Sequence, residues 1–173
     1  MFIVMAGLPG AGKSTFARAL AEALHAFVLD KDRVRAALFS PDAIEYATTQ
    51  DDFCVDVMLQ TAAYLLRSDP HRRVILDGRT FSRRYQIDAV LQATARLQTP
   101  LKLIHCVCRD ETALTRLAQD RASGDHPATN RDAQLYHAVK ARFEPLTIPH
   151  LVVDTDNPFD TCLSACLHFL NES

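Results

Sequence analysis

Five apolar residues, Phe2-Ile3-Val4-Met5-Ala6, run directly into Gly7-Leu8-Pro9-Gly10-Ala11-Gly12-Lys13-Ser14-Thr15. An unbroken run of β-formers stopped by glycine is the pattern of a strand buried on both faces of a parallel sheet. The nine residues that follow satisfy G-x-x-x-x-G-K-[ST], with a helix expected to begin inside the motif. Gly7, Gly10 and Gly12, with the small Ala11, leave room for backbone N–H groups to turn inward around phosphate oxygens at the positive end of that helix dipole. Lys13 is expected to reach the β and γ oxygens as a point charge. The Ser14 hydroxyl is expected to ligate a bridging Mg²⁺, and Thr15 to add a weaker contact. A chance glycine-rich turn would not set strand, motif and helix in this order, so binding of a nucleoside triphosphate is the first functional expectation.

The buried-strand pattern recurs at Phe27-Val28-Leu29, Val74-Ile75-Leu76, 101–107 and Leu151-Val152-Val153, with Asp30, Asp77, Arg109 and Asp154 at or near their ends. Helical patterns lie between. Phe16, Leu20 and Leu24 recur every four residues, Thr49-Gln50-Asp51-Asp52 reads as a capping box for a helix with Val55, Leu59, Ala62 and Leu66, and Thr129-Asn130-Arg131-Asp132 opens another. Asn157-Pro158 reads as the N-cap and first residue of a terminal helix through Leu170. Alternation of this kind predicts an α/β fold, a five-stranded parallel sheet with helices on both faces. Ser123-Gly124-Asp125-His126-Pro127 is the best candidate for a mobile loop.

A length of 173 residues fits a single domain. With 48% apolar and 23% charged residues, the composition is that of an ordinary soluble globule and excludes disordered and collagen-like classes. The 19 Lys+Arg against 21 Asp+Glu leave a net charge of −2, which argues against binding an extended nucleic acid duplex, though not against a local basic groove. Five cysteines, an odd number, with no leading apolar segment long enough for a signal peptide or membrane span, point to a complete cytoplasmic chain with no membrane partner.

Phosphate loops of this kind serve GTPases, motors, remodelling ATPases and small kinases alike. An Asn/Thr-Lys-x-Asp guanine signature is absent from the sequence, so ATP is preferred to GTP. The third strand ends Ile75-Leu76-Asp77-Gly78-Arg79-Thr80, one carboxylate followed by polar residues suited to a substrate, rather than the acidic run of a remodelling ATPase.

In these features the chain resembles small P-loop kinases of the kind represented by polynucleotide 5′-kinase domains, chloramphenicol phosphotransferase and zeta-toxin-like kinases. The resemblance runs nearly end to end. It rests on the loop, on Asp32-Arg33-Val34-Arg35-Ala36-Ala37-Leu38, on Asp77-Gly78-Arg79-Thr80, on Arg116-Leu117-Ala118-Gln119-Asp120-Arg121 and on Phe143-Glu144-Pro145-Leu146 leading to Val153-Asp154-Thr155. It implies a nucleoside-monophosphate-kinase-like single domain over 1–173, with a short lid segment at about 110–130. It implies a kinase using ATP and Mg²⁺, whose acceptor is a hydroxyl on a small molecule or a nucleic acid 5′ end. A nucleotide-dependent assembly or regulatory factor that binds a protein partner is the alternative.

Within the resemblance, Asp32 matches the general base and Arg35 the arginine that holds the substrate. An acceptor alcohol must lose its proton as it attacks phosphorus, and residues three apart on a helix share a face, so the chemistry agrees. Asp30 and Arg33 have the same offset, and an N-terminal helix cap would also explain an aspartate here. Asp77 at its strand end is expected to hold a magnesium-bound water or the acceptor, or else to begin an Asp-Gly turn. Arg79, with Arg83 and Arg84 just beyond, is placed to clamp an anionic acceptor. Of the lid arginines, the resemblance favours Arg121 for closing over the triphosphate, then Arg116, with Arg109 a third; a plain charged helix face is the alternative for each. The turn 154–157 is expected beside the adenine.

Cys106 and Cys108, and Cys162 and Cys166, pair on single faces. Neither pair has the Cys-x-x-Cys spacing of a structural zinc site, and core packing is expected. His25, His71, His126, His137, His150 and His168 are scattered and form no signature.

Overall fold

The computed structural model describes residues 1–123 and 132–172. Its strands are β1 (Phe2–Ala6), β2 (Phe27–Asp30), β3 (Val74–Asp77), β4 (Leu101–Val107) and β5 (Leu151–Asp154). All pair parallel in the order β2-β3-β1-β4-β5, so β1 lies at the centre. That position explains its sequence: every residue from Phe2 to Ala6 is fully buried, the alternate ones going to opposite faces.

Phe2, Val4 and Ala6 pack against α3 (Thr48–Ser68) and α4 (Arg84–Leu97), where Met58, Ala62 and Val90 close one core. Ile3 and Met5 pack against α1 (Lys13–Leu24) and α7 (Phe159–Asn171) through Phe16, Leu20 and Leu170. Cys106, Cys162 and Cys166 belong to this second core, and burial pushes the Cys106 thiol up to about 12. A smaller cluster of Ala113, Leu117 and Tyr136 joins α5 (Asp110–Ser123) to α6 (Ala133–Ala141). Among the described residues no helix is long and apolar enough to cross a membrane.

The expected strands are all present, and the helix starts show where tertiary contacts override local signals. α3 begins at Thr48 after Ala47, with no side-chain cap. The carboxylates of the expected capping box are engaged elsewhere: Asp51 pairs with Lys31 and Arg35, and Asp52 with Arg79. Asp132 caps α6 by accepting from the Leu135 N–H at 2.8 Å. The expected loop at 123–127 and residues 129–131 of that opening lie outside the described residues, apart from Ser123. α7 starts at Phe159 with Pro158 at the cap, one residue later than the sequence pattern predicts.

Candidate active site at the carboxyl edge of the sheet

The ends of β1, β2 and β3 lie side by side, with Asp30 opposite Asp77 in register. Ligands of open parallel sheets bind at such carboxyl edges, beside the point where strand order reverses. Here β1 stands between β3 and β4, and the loop that follows it, Gly7 to Gly12, opens onto α1.

The loop is tied down on all sides. The Gly7 N–H donates to the Thr80 carbonyl at 3.0 Å, and a Cβ on Gly7 would lie 2.2 Å from the Cys106 carbonyl oxygen, so only glycine fits between the strands. Gly10, at φ +77°, would place a Cβ 2.5 Å from the Ala113 carbonyl, which sets α5 directly on the loop. Lys13 Nζ donates to the Gly7 and Leu8 carbonyls at 2.9 and 2.8 Å. Its ammonium group is thus held over the mouth of the loop, with Ser14 beside it in the first turn of α1.

A cavity of about 380 Å³ is lined by Lys13 and Ser14 together with Asp32, Arg35, Asp51 and Arg79, and by Tyr85, Arg142 and Glu144. Both members of the Asp32/Arg35 pair are buried at 8% and 2% exposure and are bonded to each other at 2.8 Å. Lys31 Nζ lies 3.1 Å from the same Asp32 oxygen and 2.8 Å from Asp51. The Lys31 ammonium is pushed below its ordinary value, first by burial; Arg35 and Arg79 push it the same way, while Asp32 opposes them.

Asp30 occupies a different place from Asp32. It is the N-cap of α2 (Lys31–Leu38), its carboxylate accepting the N–H groups of Asp32 and Arg33. Burial, followed by the charge of Asp77, raises its pKa. Asp77 is buried at the end of β3, and its Oδ1 has no hydrogen-bond partner among the described residues. An orphaned buried carboxylate oxygen at the strand end suits a cation or its bound water, so the chemistry of Asp77 and of the Ser14 hydroxyl fits Mg²⁺.

Phe81 adopts φ +51°, a left-handed conformation that costs a bulky residue about 1–2 kcal/mol. Its ring is buried in the core while Thr80 and Ser82 line the cavity. Glu144 accepts from Arg83 Nη1 at 2.8 Å and from the Arg84 N–H at 2.7 Å, so these two arginines fasten the segment after α6 across the cavity.

The two favoured lid arginines point apart, because five residues of helix turn by ~500° and leave their side chains ~140° from each other. Arg116 donates to the Gly10 carbonyl at 3.3 Å and to the Thr155 hydroxyl and carbonyl at 2.9 Å each. Arg121 lies exposed in the last turn of α5. Arg109 donates to Asp156 from its backbone at 3.0 Å and from Nε at 2.9 Å, and the bond from the backbone N–H leads in holding that carboxyl down at about 2. The turn 154–157 is therefore braced to α5 beside the loop. Asp51, Asp52, Tyr85, Arg142 and Glu144 were not singled out by sequence as site residues; Glu144 appeared only within the family pattern, and Asp51 and Asp52 only as capping residues.

A glycine loop closed around a lysine, at the switch point of a 2-3-1-4-5 parallel sheet, defines a nucleotide-binding P-loop fold of the kinase type. The family model described as AAA domain (AAA_33) matches residues 2–146, and the chain belongs to that family. Solved structures of similar fold include a candidate kinase from Chloroflexus aurantiacus, 22% identical over 98% of each chain with a TM-score of 0.76. The APS kinase CysC of Mycobacterium tuberculosis, in complex with AMPPNP and APS, is 18% identical, with 99% and 97% covered and a TM-score of 0.72. Kti12 of Chaetomium thermophilum, in complex with ADP-AlF3, is 14% identical, with 99% and 100% covered and a TM-score of 0.68. No curated protein sequence matches the chain significantly.

Proposed function

We propose that the protein is an ATP- and Mg²⁺-dependent phosphotransferase that moves the γ-phosphoryl group to a hydroxyl. One observation supports this most: a single cavity joins Lys13 and Ser14 of the phosphate loop to the buried Asp32, Arg35 and Arg79. A binding protein needs the loop; an acid lining the same cavity suits transfer. In the reaction the acceptor oxygen attacks the γ-phosphorus, its proton passes to an Asp32 carboxylate oxygen, and the bond from phosphorus to the β–γ bridging oxygen breaks, releasing ADP. Lys31 and Arg35 hold the Asp32 carboxylate in position. Lys13 turns from the Gly7 and Leu8 carbonyls to the phosphate oxygens, and Arg116 keeps α5 and the 154–157 turn closed on the loop. Ser14 and Asp77 would hold Mg²⁺, which neutralises charge on the transferred group.

A second reading is a nucleotide-dependent factor that binds a protein partner; the likeness in fold to Kti12, solved with ADP-AlF3, is compatible with it. Incubation with γ-labelled ATP and Mg²⁺ against a panel of hydroxyl acceptors separates the two. A labelled acceptor is expected, with Asp32→Asn slowing its formation by ~10²-fold or more. Hydrolysis alone, stimulated by a protein and unaffected by Asp32→Asn, would overturn the kinase reading.

A further inference from the structure

α3 and α4 stand side by side on one face of the sheet, and their outer surfaces enclose a groove of about 540 Å³. Ala63 on α3 and Ala89 and Ala93 on α4 line it, side chains too short to fill the space between the helices. Charges stand at its ends. Both helices connect parallel strands and run opposite to them, which puts Arg67 and Arg96, each in the last turn of its helix, at the same end. Asp56, also in the lining, lies ~16 Å back along α3 towards the other end. Among the described residues, none of these three side chains takes part in a hydrogen bond or ion pair.

Arginine suits the end of a helix for its own sake, but that does not account for the ring beside it. Tyr64 is the most exposed large apolar side chain among the described residues, at 73%. It follows Gln60 by one helical turn and precedes Arg67 by another, and both of these line the groove, so Tyr64 rises on the same face of α3. A tyrosine so placed carries a large apolar area and a polar tip, the combination that anchors an interface once it is buried.

Size and charge then select the partner. Two helices ~10 Å wide and about 30 and 20 Å long offer ~500 Å² in projection, and the accessible area of a rough face exceeds its projection. Two such faces together reach the lower limit of specific interfaces, ~1,200 Å² in total, so association between them is reversible. A twofold axis along the groove would lay acid on acid and arginine on arginine. An axis across it turns one groove end for end, and the acidic end of each copy meets the basic end of the other. Tyr64 lies within one turn of the midpoint between Asp56 and Arg67, so both rings of the pair come near that axis.

We propose that the outer α3–α4 face is a self-complementary docking surface for a second copy of this chain, bound antiparallel about a twofold axis, with Tyr64 buried near the centre and Asp56 paired with Arg67 and Arg96 at both ends. Exposed ion pairs add little affinity, so the charges set the orientation and the tyrosine supplies most of the strength. The surface stands apart from the reaction, since none of these residues lines the cavity at the phosphate loop.

Sedimentation velocity over a concentration series of the full chain tests this. A reversible dimer with a dissociation constant of about 1–100 μM is expected. Tyr64→Ala is expected to weaken it about tenfold or more. Asp56→Arg makes both ends of the groove basic, and Arg67→Glu with Arg96→Glu makes both acidic. Each of these variants is expected to be monomeric alone, and an equimolar mixture of the two to dimerise again, a recovery that damage to the fold would not produce. A chain still monomeric at about 500 μM would overturn the proposal and leave the face to another protein. So would a dimer indifferent to Tyr64→Ala, charge variants that dimerise alone as well as the parent, or charge variants that stay monomeric when mixed.

Discussion

The carboxylate of Asp30 accepts the backbone N–H of Asp32 at 2.8 Å, so the first of these acids caps the helix that presents the second to the cavity. Two aspartates with the same spacing to an arginine thus occupy different environments. Asp32→Asn is expected to cut phosphoryl transfer by ~10²-fold or more while leaving the affinity for an ATP analogue within about threefold. Single-turnover kinetics beside analogue titration check both halves.

Asp30 has a separate signature. Asp30→Ala removes the cap and is expected to cost about 1 kcal/mol in denaturant unfolding. Asp30→Asn keeps an acceptor for the Asp32 N–H and removes a charge disfavoured by burial and by Asp77. With the folded pKa raised, the folded state holds the proton more tightly, so this carboxylate weakens the fold as pH rises above 4. Asp30→Asn should therefore unfold at an equal or higher temperature than the parent at pH 7, with the difference vanishing below about pH 4.

Arg116 joins three elements through one guanidinium: α5, the phosphate loop at Gly10 and the turn at Thr155. Arg116→Ala is expected to weaken ATP analogue binding about tenfold, equivalent to about 1.4 kcal/mol, and to lower the melting temperature. Arg121→Ala, on an exposed turn, should leave the affinity for the ATP analogue close to the parent value. Calorimetric titration of both variants tests the difference.

His105 lies on β4 with its ring stacked on Phe143 and edge-on to His150. Burial, then the charges of His150 and Lys13, push its pKa down to about 4. The unfolded chain takes up this proton near pH 6.5 and the folded chain only near 4, so stability falls as pH drops through that window and levels off below it. His105→Phe keeps the ring contact without the proton. It should flatten the loss of stability between pH 6.5 and 4 in thermal unfolding; an unchanged slope would refute the assignment.

Gly7→Ala is expected to abolish nucleotide binding and lower stability by about 1–3 kcal/mol, because its Cβ would collide with the Cys106 backbone, which cannot move without parting β1 from β4. Analogue titration and chemical denaturation provide the check.

The strands, the phosphate loop and the helices α1, α3 and α7 are legible in the sequence because each is written in neighbouring residues: an apolar run at Phe2–Ala6, glycines at 7, 10 and 12, and periodic Phe16, Leu20 and Leu24; α4, whose Ile87 and Val90 complete one core, carries no such signal. The sequence also narrows the candidate base to two aspartates. That Asp30 caps a helix while Asp32 lines the cavity emerges from the folded chain alone, since the two are alike in spacing and differ in what folds against them. The same holds for Asp51 and Asp52, whose local pattern reads as a helix cap and whose partners are 16 and 27 residues away. Arg116 meets Thr155 across 39 residues and Arg83 meets Glu144 across 61. Charged side chains pair by Coulomb attraction over space, with no periodicity along the chain, so their partners emerge only when the sheet brings distant segments together.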